Sequence, residues 1–90
     1  MYEILITNKF KRDLKKCVRQ QKDIAKFAAI SELLESGMSL PHKNYDHSLS
    51  GNWDGHRECH IEPDWLLIYR INEDGKIIEL LRTGSHSDLF

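Results

Sequence analysis

Five histidines among 90 residues are a large supply of groups that titrate near neutrality, and three of them have charged neighbours in the sequence. His47, His60 and His86 lie beside Asp46, Asp64 and Arg82. An imidazole next to a carboxylate suits proton transfer, because the carboxylate orients the ring while the ring gives or takes the proton. A guanidinium nearby adds fixed positive charge for an anionic transition state. Taken singly, each histidine is more often a surface or hydrogen-bonded structural residue, so the combination carries the reading.

Other chemistries are less well served. On a strand, His56, Glu58 and His60 would share one side and offer two imidazoles and a carboxylate to a metal. Exposed strand faces show the same alternation without any ligand, and Cys59 would face the other way, so a metal-free site is expected. The glycines are scattered at 37, 51, 55, 75 and 84 with no phosphate-cradling run, and no nucleotide cofactor is expected. Ser48, Ser50, Ser85 and Ser87 lie in polar, turn-rich sequence without the Gly-x-Ser-x-Gly elbow of a serine nucleophile. Cys17 and Cys59 form no Cys-x-x-Cys pair and read as free thiols.

These side chains need a scaffold, and a chain of 90 residues with 40% apolar content has the material for one core, hence one domain over residues 1–90. Residues 2–7 read as a strand. Thr7-Asn8 then caps a helix in which Phe10, Leu14, Cys17 and Val18 recur at helical spacing. After a break at residues 20–22, Asp23 caps a second helix with Ile24, Phe27, Ile30 and Leu34 on one side, and Gly37 ends it. Residues 38–52, rich in Pro, Asn, Asp, Ser and Gly, read as a long loop, a kind of segment that often carries function. Strands are predicted over 53–61, 65–71 and 76–82, with turns at Glu62-Pro63 and Glu73-Asp74-Gly75. The order is β-α-α-β-β-β, and the apolar run Trp65-Leu66-Leu67-Ile68-Tyr69 marks a central strand covered on both faces. Residues 84–90 read as a loop or a single helical turn.

A net charge of −1 hides a strong asymmetry: residues 9–26 hold eight Lys/Arg against two Asp, while the chain from residue 27 onward is net acidic. Lys9, Lys11, Arg12, Lys15 and Lys16 make the first helix either an ordinary solvated face or a phosphate-binding surface, and the sequence weighs the two equally. Trp53, Trp65 and Tyr69 read mainly as core or edge aromatics, with Trp65, at a strand start after Asp64, open to either packing or base stacking. Phe90 either packs or stacks. No apolar run approaches the roughly 20 residues of a membrane span, and a cytoplasmic location is expected.

Three stretches resemble a known family: Tyr45-Asp46-His47-Ser48-Leu49-Ser50-Gly51-Asn52-Trp53, then Arg57-Glu58-Cys59-His60-Ile61-Glu62-Pro63-Asp64-Trp65, then Arg82-Thr83-Gly84-Ser85-His86-Ser87-Asp88-Leu89-Phe90. Together they are similar to the YafQ branch of the RelE toxin superfamily. The resemblance implies an α+β, RelE-like fold with an N-terminal strand and a helical hairpin packed on a twisted antiparallel sheet. It implies a type II toxin that cleaves mRNA in the ribosomal A site, inhibits translation and is neutralised by a cognate antitoxin, in complexes that can contact operator DNA. By position, His47, His60, Asp64, Trp65, Arg82, His86 and Phe90 fall where the family keeps its active-site residues.

The expected chemistry is metal-independent transesterification: the ribose 2′-OH attacks the adjacent phosphate, leaving a 2′,3′-cyclic phosphate and a free 5′-OH. His86 is assigned as general acid and His60 or Asp64 as base or base-orienting partner. His47 and Arg82 bind phosphate, and Trp65 and Phe90 position the RNA. The main alternative is a non-catalytic toxin of the same fold acting through protein contacts, for example on gyrase; a third is a protein that binds RNA without cutting it.

Overall fold

A computed structural model describes all 90 residues. Strand β1 (Glu3–Ile6) passes through Thr7 into helix α1 (Asn8–Arg19). The Thr7 hydroxyl accepts from the Phe10 amide at 2.9 Å and donates to the Leu81 carbonyl at 3.0 Å, so the cap also ties the helix start to a distant strand. Gln21, in left-handed conformation, ends α1 with the Lys22 amide reaching back to the Cys17 carbonyl at 3.1 Å. Asp23 caps helix α2 (Ile24–Glu35), and Gly37 at φ +72° ends it, with the Met38 amide bonded to the Leu33 carbonyl at 3.0 Å. Both predicted helices are present, and the break between them falls where expected.

The 38–52 segment is less featureless than its composition implies. Short 3₁₀ turns at His42–Asn44 and Gly51–Trp53 flank a two-residue strand, β2 (His47–Ser48), too short to leave any periodic signal. The next strand, β3 (Arg57–Glu62), starts later than predicted, because residues 51–53 coil rather than extend. It is followed by β4 (Trp65–Asn72), β5 (Ile77–Gly84) and a single-turn helix α3 (His86–Leu89).

The strand order is β1-β5-β4-β3-β2. Every neighbouring pair is antiparallel except β1 with β5, which is parallel, so the sheet is mixed where a wholly antiparallel one was expected. The helical hairpin explains this: α1 and α2 cancel in direction and return the chain to the end of the sheet where it began, the Tyr2 amide donating to the Glu35 carbonyl at 2.8 Å. Strand β3 then runs the same way as β1, and two successive hairpins make β5 do so as well.

Strand β4 is central, as predicted. Trp65, Leu67 and Tyr69 join Phe10, Cys17, Ile30, Leu34, Cys59, Ile61, Ile78 and Leu80 in the core between sheet and helices. Leu66 and Ile68 are equally buried but lie outside that cluster, on the opposite face. Cross-strand partners share a side, so the pairs His60↔Leu66, Glu58↔Ile68, Ile68↔Arg82 and His47↔Glu58 place His47, Glu58, His60 and Arg82 on the face away from the helical hairpin. No helix is long and apolar enough to cross a membrane.

Candidate active site

Asp64 sits in the turn between β3 and β4, and His86 is the first residue of α3. His86 donates twice to one Asp64 oxygen, from its backbone amide at 3.0 Å and from Nδ1 at 2.6 Å. The backbone bond first, and then the imidazole, hold the Asp64 carboxyl below the usual carboxylate range. A carboxylate only accepts, so Nδ1 carries the hydrogen and Nε2 is the end of the ring left for substrate.

The α3 turn is itself anchored. Ser85 and Asp88 form a reciprocal capping box, and Asp88 also accepts from Lys16 of α1 at 2.9 Å. Gly84, at φ +154°, leaves room for this: a Cβ there would stand 3.1 Å from that of Asp88. Lys16 first, then the Ser85 amide, push the Asp88 carboxyl down to about 2. Because this value lies below the roughly 3.9 of an unfolded Asp, the stabilisation is complete above that pH and is lost as pH falls through the folded value. Between about pH 4 and pH 2, therefore, the wild-type melting temperature should fall more steeply than that of Asp88→Asn, which starts lower. Parallel melting curves would remove this role for Asp88. Lys16, expected to hold phosphate, is thus engaged in positioning α3.

Glu58 is the single buried carboxylate of the chain. One of its oxygens lies 3.5 Å from Nε2 of both His47 and His60. His47 Nδ1 donates to the Tyr45 carbonyl at 2.6 Å, which leaves Nε2 turned toward Glu58. The ring centroids of His47 and His60 are 6.5 Å apart, and those of His60 and His86 5.6 Å, an arc with His60 in the middle. Glu58 was not among the residues singled out for acid-base work. Its signal was its spacing of two from His60, between apolar Cys59 and Ile61, which puts both polar groups on one strand face. His56, grouped with them as a possible metal ligand, lies before β3, where Nδ1 meets the Trp53 and Asp54 carbonyls at 3.2 and 3.1 Å and braces the loop.

Arg82 is engaged by Asp13 of α1, Nε to Oδ2 at 2.7 Å and Nη2 to Oδ1 at 3.2 Å, and this partner raises its pKa. Asp13 also accepts from the Thr83 amide at 3.1 Å, so the guanidinium is a fixed cation at the sheet edge. Trp65 requires a correction. Its ring is 0% exposed within the helical-face core, with Nε1 donating to Thr83 Oγ1 at 2.9 Å, and it offers no face on which a base could stack. The adjacent apolar run makes this position part of the central strand's inner face. Phe90 is the contrary case, 61% exposed and edge-on to Trp53 at 6.5 Å. Lys9, Lys11, Arg12 and Lys15 line the exposed surface of α1.

The model of bacterial YafQ toxins from type II toxin-antitoxin systems matches residues 2–90. The chain belongs to the YafQ toxin family. The YafQ mRNA interferase toxin of Escherichia coli K12 is 36% identical over 89 residues, spanning 98% of this chain and 95% of that protein. The E. coli DinJ-YafQ toxin-antitoxin complex contains a chain that superposes with a TM-score of 0.89 at 36% identity, covering 99% of this chain and 97% of that one. A metal-bound toxin from Helicobacter pylori superposes at 0.94 with 38% identity over 100% of both chains. The α+β fold expected from the resemblance is therefore the YafQ fold, and the protein is the toxin of a type II system. In this YafQ chain no three His, Cys, Asp or Glu side chains converge to hold a metal ion; His47 and His60 meet Glu58 instead.

Proposed function

We propose that this single-domain toxin is a ribosome-dependent endoribonuclease that cuts mRNA in the A site by attack of the ribose 2′-OH. One observation carries the reading: His86, oriented by Asp64, lies across a 5.6 Å ring separation from His60, which faces the buried Glu58. An acid and a base so placed can flank one phosphate. With its Nε2 toward Glu58, His60 accepts the 2′-OH proton at Nδ1 as the 2′-oxygen attacks phosphorus. Protonated at both nitrogens, His86 delivers the Nε2 proton to the departing 5′-oxygen, and Asp64 compensates the positive ring. The products are a 2′,3′-cyclic phosphate and a 5′-OH, with each acid-base partner contributing about 10²- to 10⁴-fold.

His47 and Arg82 supply positive charge for the phosphorane, Phe90 stacks on a base, and Lys9, Lys11, Arg12 and Lys15 face RNA phosphates. Asp64 contacts His86 and not His60, which favours a role in orienting the acid. The likeness to the DinJ-YafQ complex supports neutralisation by a cognate antitoxin, and the basic α1 surface is suited to operator DNA in such a complex. A substrate of ribosome-bound mRNA supports a cytoplasmic location.

Purified protein added to programmed ribosomes carrying a defined message tests this, with cut sites mapped by primer extension and end groups by phosphatase sensitivity. Discrete A-site cuts with cyclic-phosphate ends are expected, and they should survive EDTA treatment of the enzyme when the ribosomes keep their magnesium. An uncut message alongside intact toxicity in cells would transfer the protein to the class that acts by protein contact, as on gyrase.

A further inference from the structure

Where β3 runs on beyond its short partner β2, a cleft of about 750 Å³ opens between α2 and the turn at residues 41–45. Ile30, Leu33 and Pro41 give it apolar walls. Lys26 and Lys43 also line it; Lys26 pairs with Glu62 at 2.8 Å, whereas Lys43 makes no ion pair. His60 and Tyr45 belong to the same lining, with their rings edge-on at 5.6 Å, so the cleft meets the catalytic arc at the edge of β3 that β2 leaves uncovered, not on the arc's own face of the sheet.

Asn44, 4% exposed, lines the cleft as well. Its Nδ2 donates to the His60 carbonyl at 2.7 Å, which fixes the orientation of the amide, since the reverse would press two oxygens together. Its Oδ1 is the one buried side-chain polar atom in the protein without a partner. Native folds rarely leave a buried acceptor unmet, and a donor arriving with a ligand completes it.

We propose that this cleft is a base-reading subsite, resting on the nuclease reading above, that takes an mRNA base next to the cut through its exocyclic amine. Asn44 gives one amide hydrogen to His60 and leaves Oδ1 as an unmet acceptor for a ligand's donor. That selects adenine or cytosine over hypoxanthine or uracil, which present a carbonyl where the amine would be. Apolar walls suit the faces of the ring, and unpaired Lys43 suits the attached phosphate. The occupant is nucleic acid because the cleft adjoins His60, at whose imidazole the nuclease reading sets the reacting phosphate.

Two measurements test the subsite. In an NMR titration, AMP and CMP should shift the Asn44 side-chain amide and the Ala29 and Leu33 methyls at concentrations where IMP and UMP do not; equal shifts with all four, or none, overturn the proposal. On programmed ribosomes, inosine for adenosine at one A-site codon position should slow cutting about tenfold, the worth of one hydrogen bond. Ala29→Trp, which fills the cleft from the surface of α2 and leaves Asn44 in place, should erase that discrimination while melting near the wild-type temperature. Uniform cutting of every codon with no nucleotide shifts removes the subsite and keeps the nuclease. AMP shifts with an uncut message would do the reverse.

Discussion

His86→Ala lowers the single-turnover rate of message cleavage on the ribosome by about 10²- to 10⁴-fold, the span typical for loss of a general acid, with little change in melting temperature. The separation of activity from stability follows from position. The His86 side chain is 55% exposed, and its imidazole makes one hydrogen bond, to Asp64, which is itself at the surface. Nothing in the core leans on it. Asp64→Asn keeps the shape but loses the charge that compensates the protonated ring, so its rate should fall between those of wild type and His86→Ala. Full activity in His86→Ala would remove the acid from the scheme, and a large fall in melting temperature would show that α3 holds the fold rather than the proton.

Trp65→Ala has a comparably large effect of another kind. Truncating a fully buried tryptophan costs about 3–5 kcal/mol, against a total near 5–15 kcal/mol for a domain. For a chain of this length the melting temperature drops on the order of 20 °C. Trp65→Phe keeps most of the ring and forfeits the bond from Nε1 to Thr83, so its loss should be smaller. Thermal and urea denaturation followed by circular dichroism make the comparison. A Trp65→Ala protein that melts normally yet cuts nothing would return the residue to the RNA interface.

Much of this architecture was legible locally. Helical spacing of Phe10, Leu14 and Cys17, Thr7 and Asp23 as caps and Gly37 as a stop all act within a few residues of where they are written. The uninterrupted run at residues 65–69 announced a strand buried on both faces. His47, His60, Asp64 and His86 were recognisable as residue types suited to proton transfer, and the structure brings them onto one side of the sheet. Their division into sets was not recognisable. Asp64 lies 22 residues from His86, and Asp13 lies 69 from Arg82, yet each pair is in hydrogen-bond contact.

Such pairings depend on strand order, and strand order depends on where the helical hairpin returns the chain. The same return makes β1 parallel to β5, lets a two-residue β2 set His47 opposite Glu58, and turns Trp65 inward while Phe90 stays exposed. By itself, the sequence determined the two long helices, the four longer strands with β4 central, and the acid-base groups other than Glu58, because caps and periodicity are short-range interactions. Only the tertiary structure decided which carboxylate serves which imidazole, that Glu58 joins two of them, and that Asn44 is left with an unmet acceptor beside His60, because these contacts exist only once distant segments have packed.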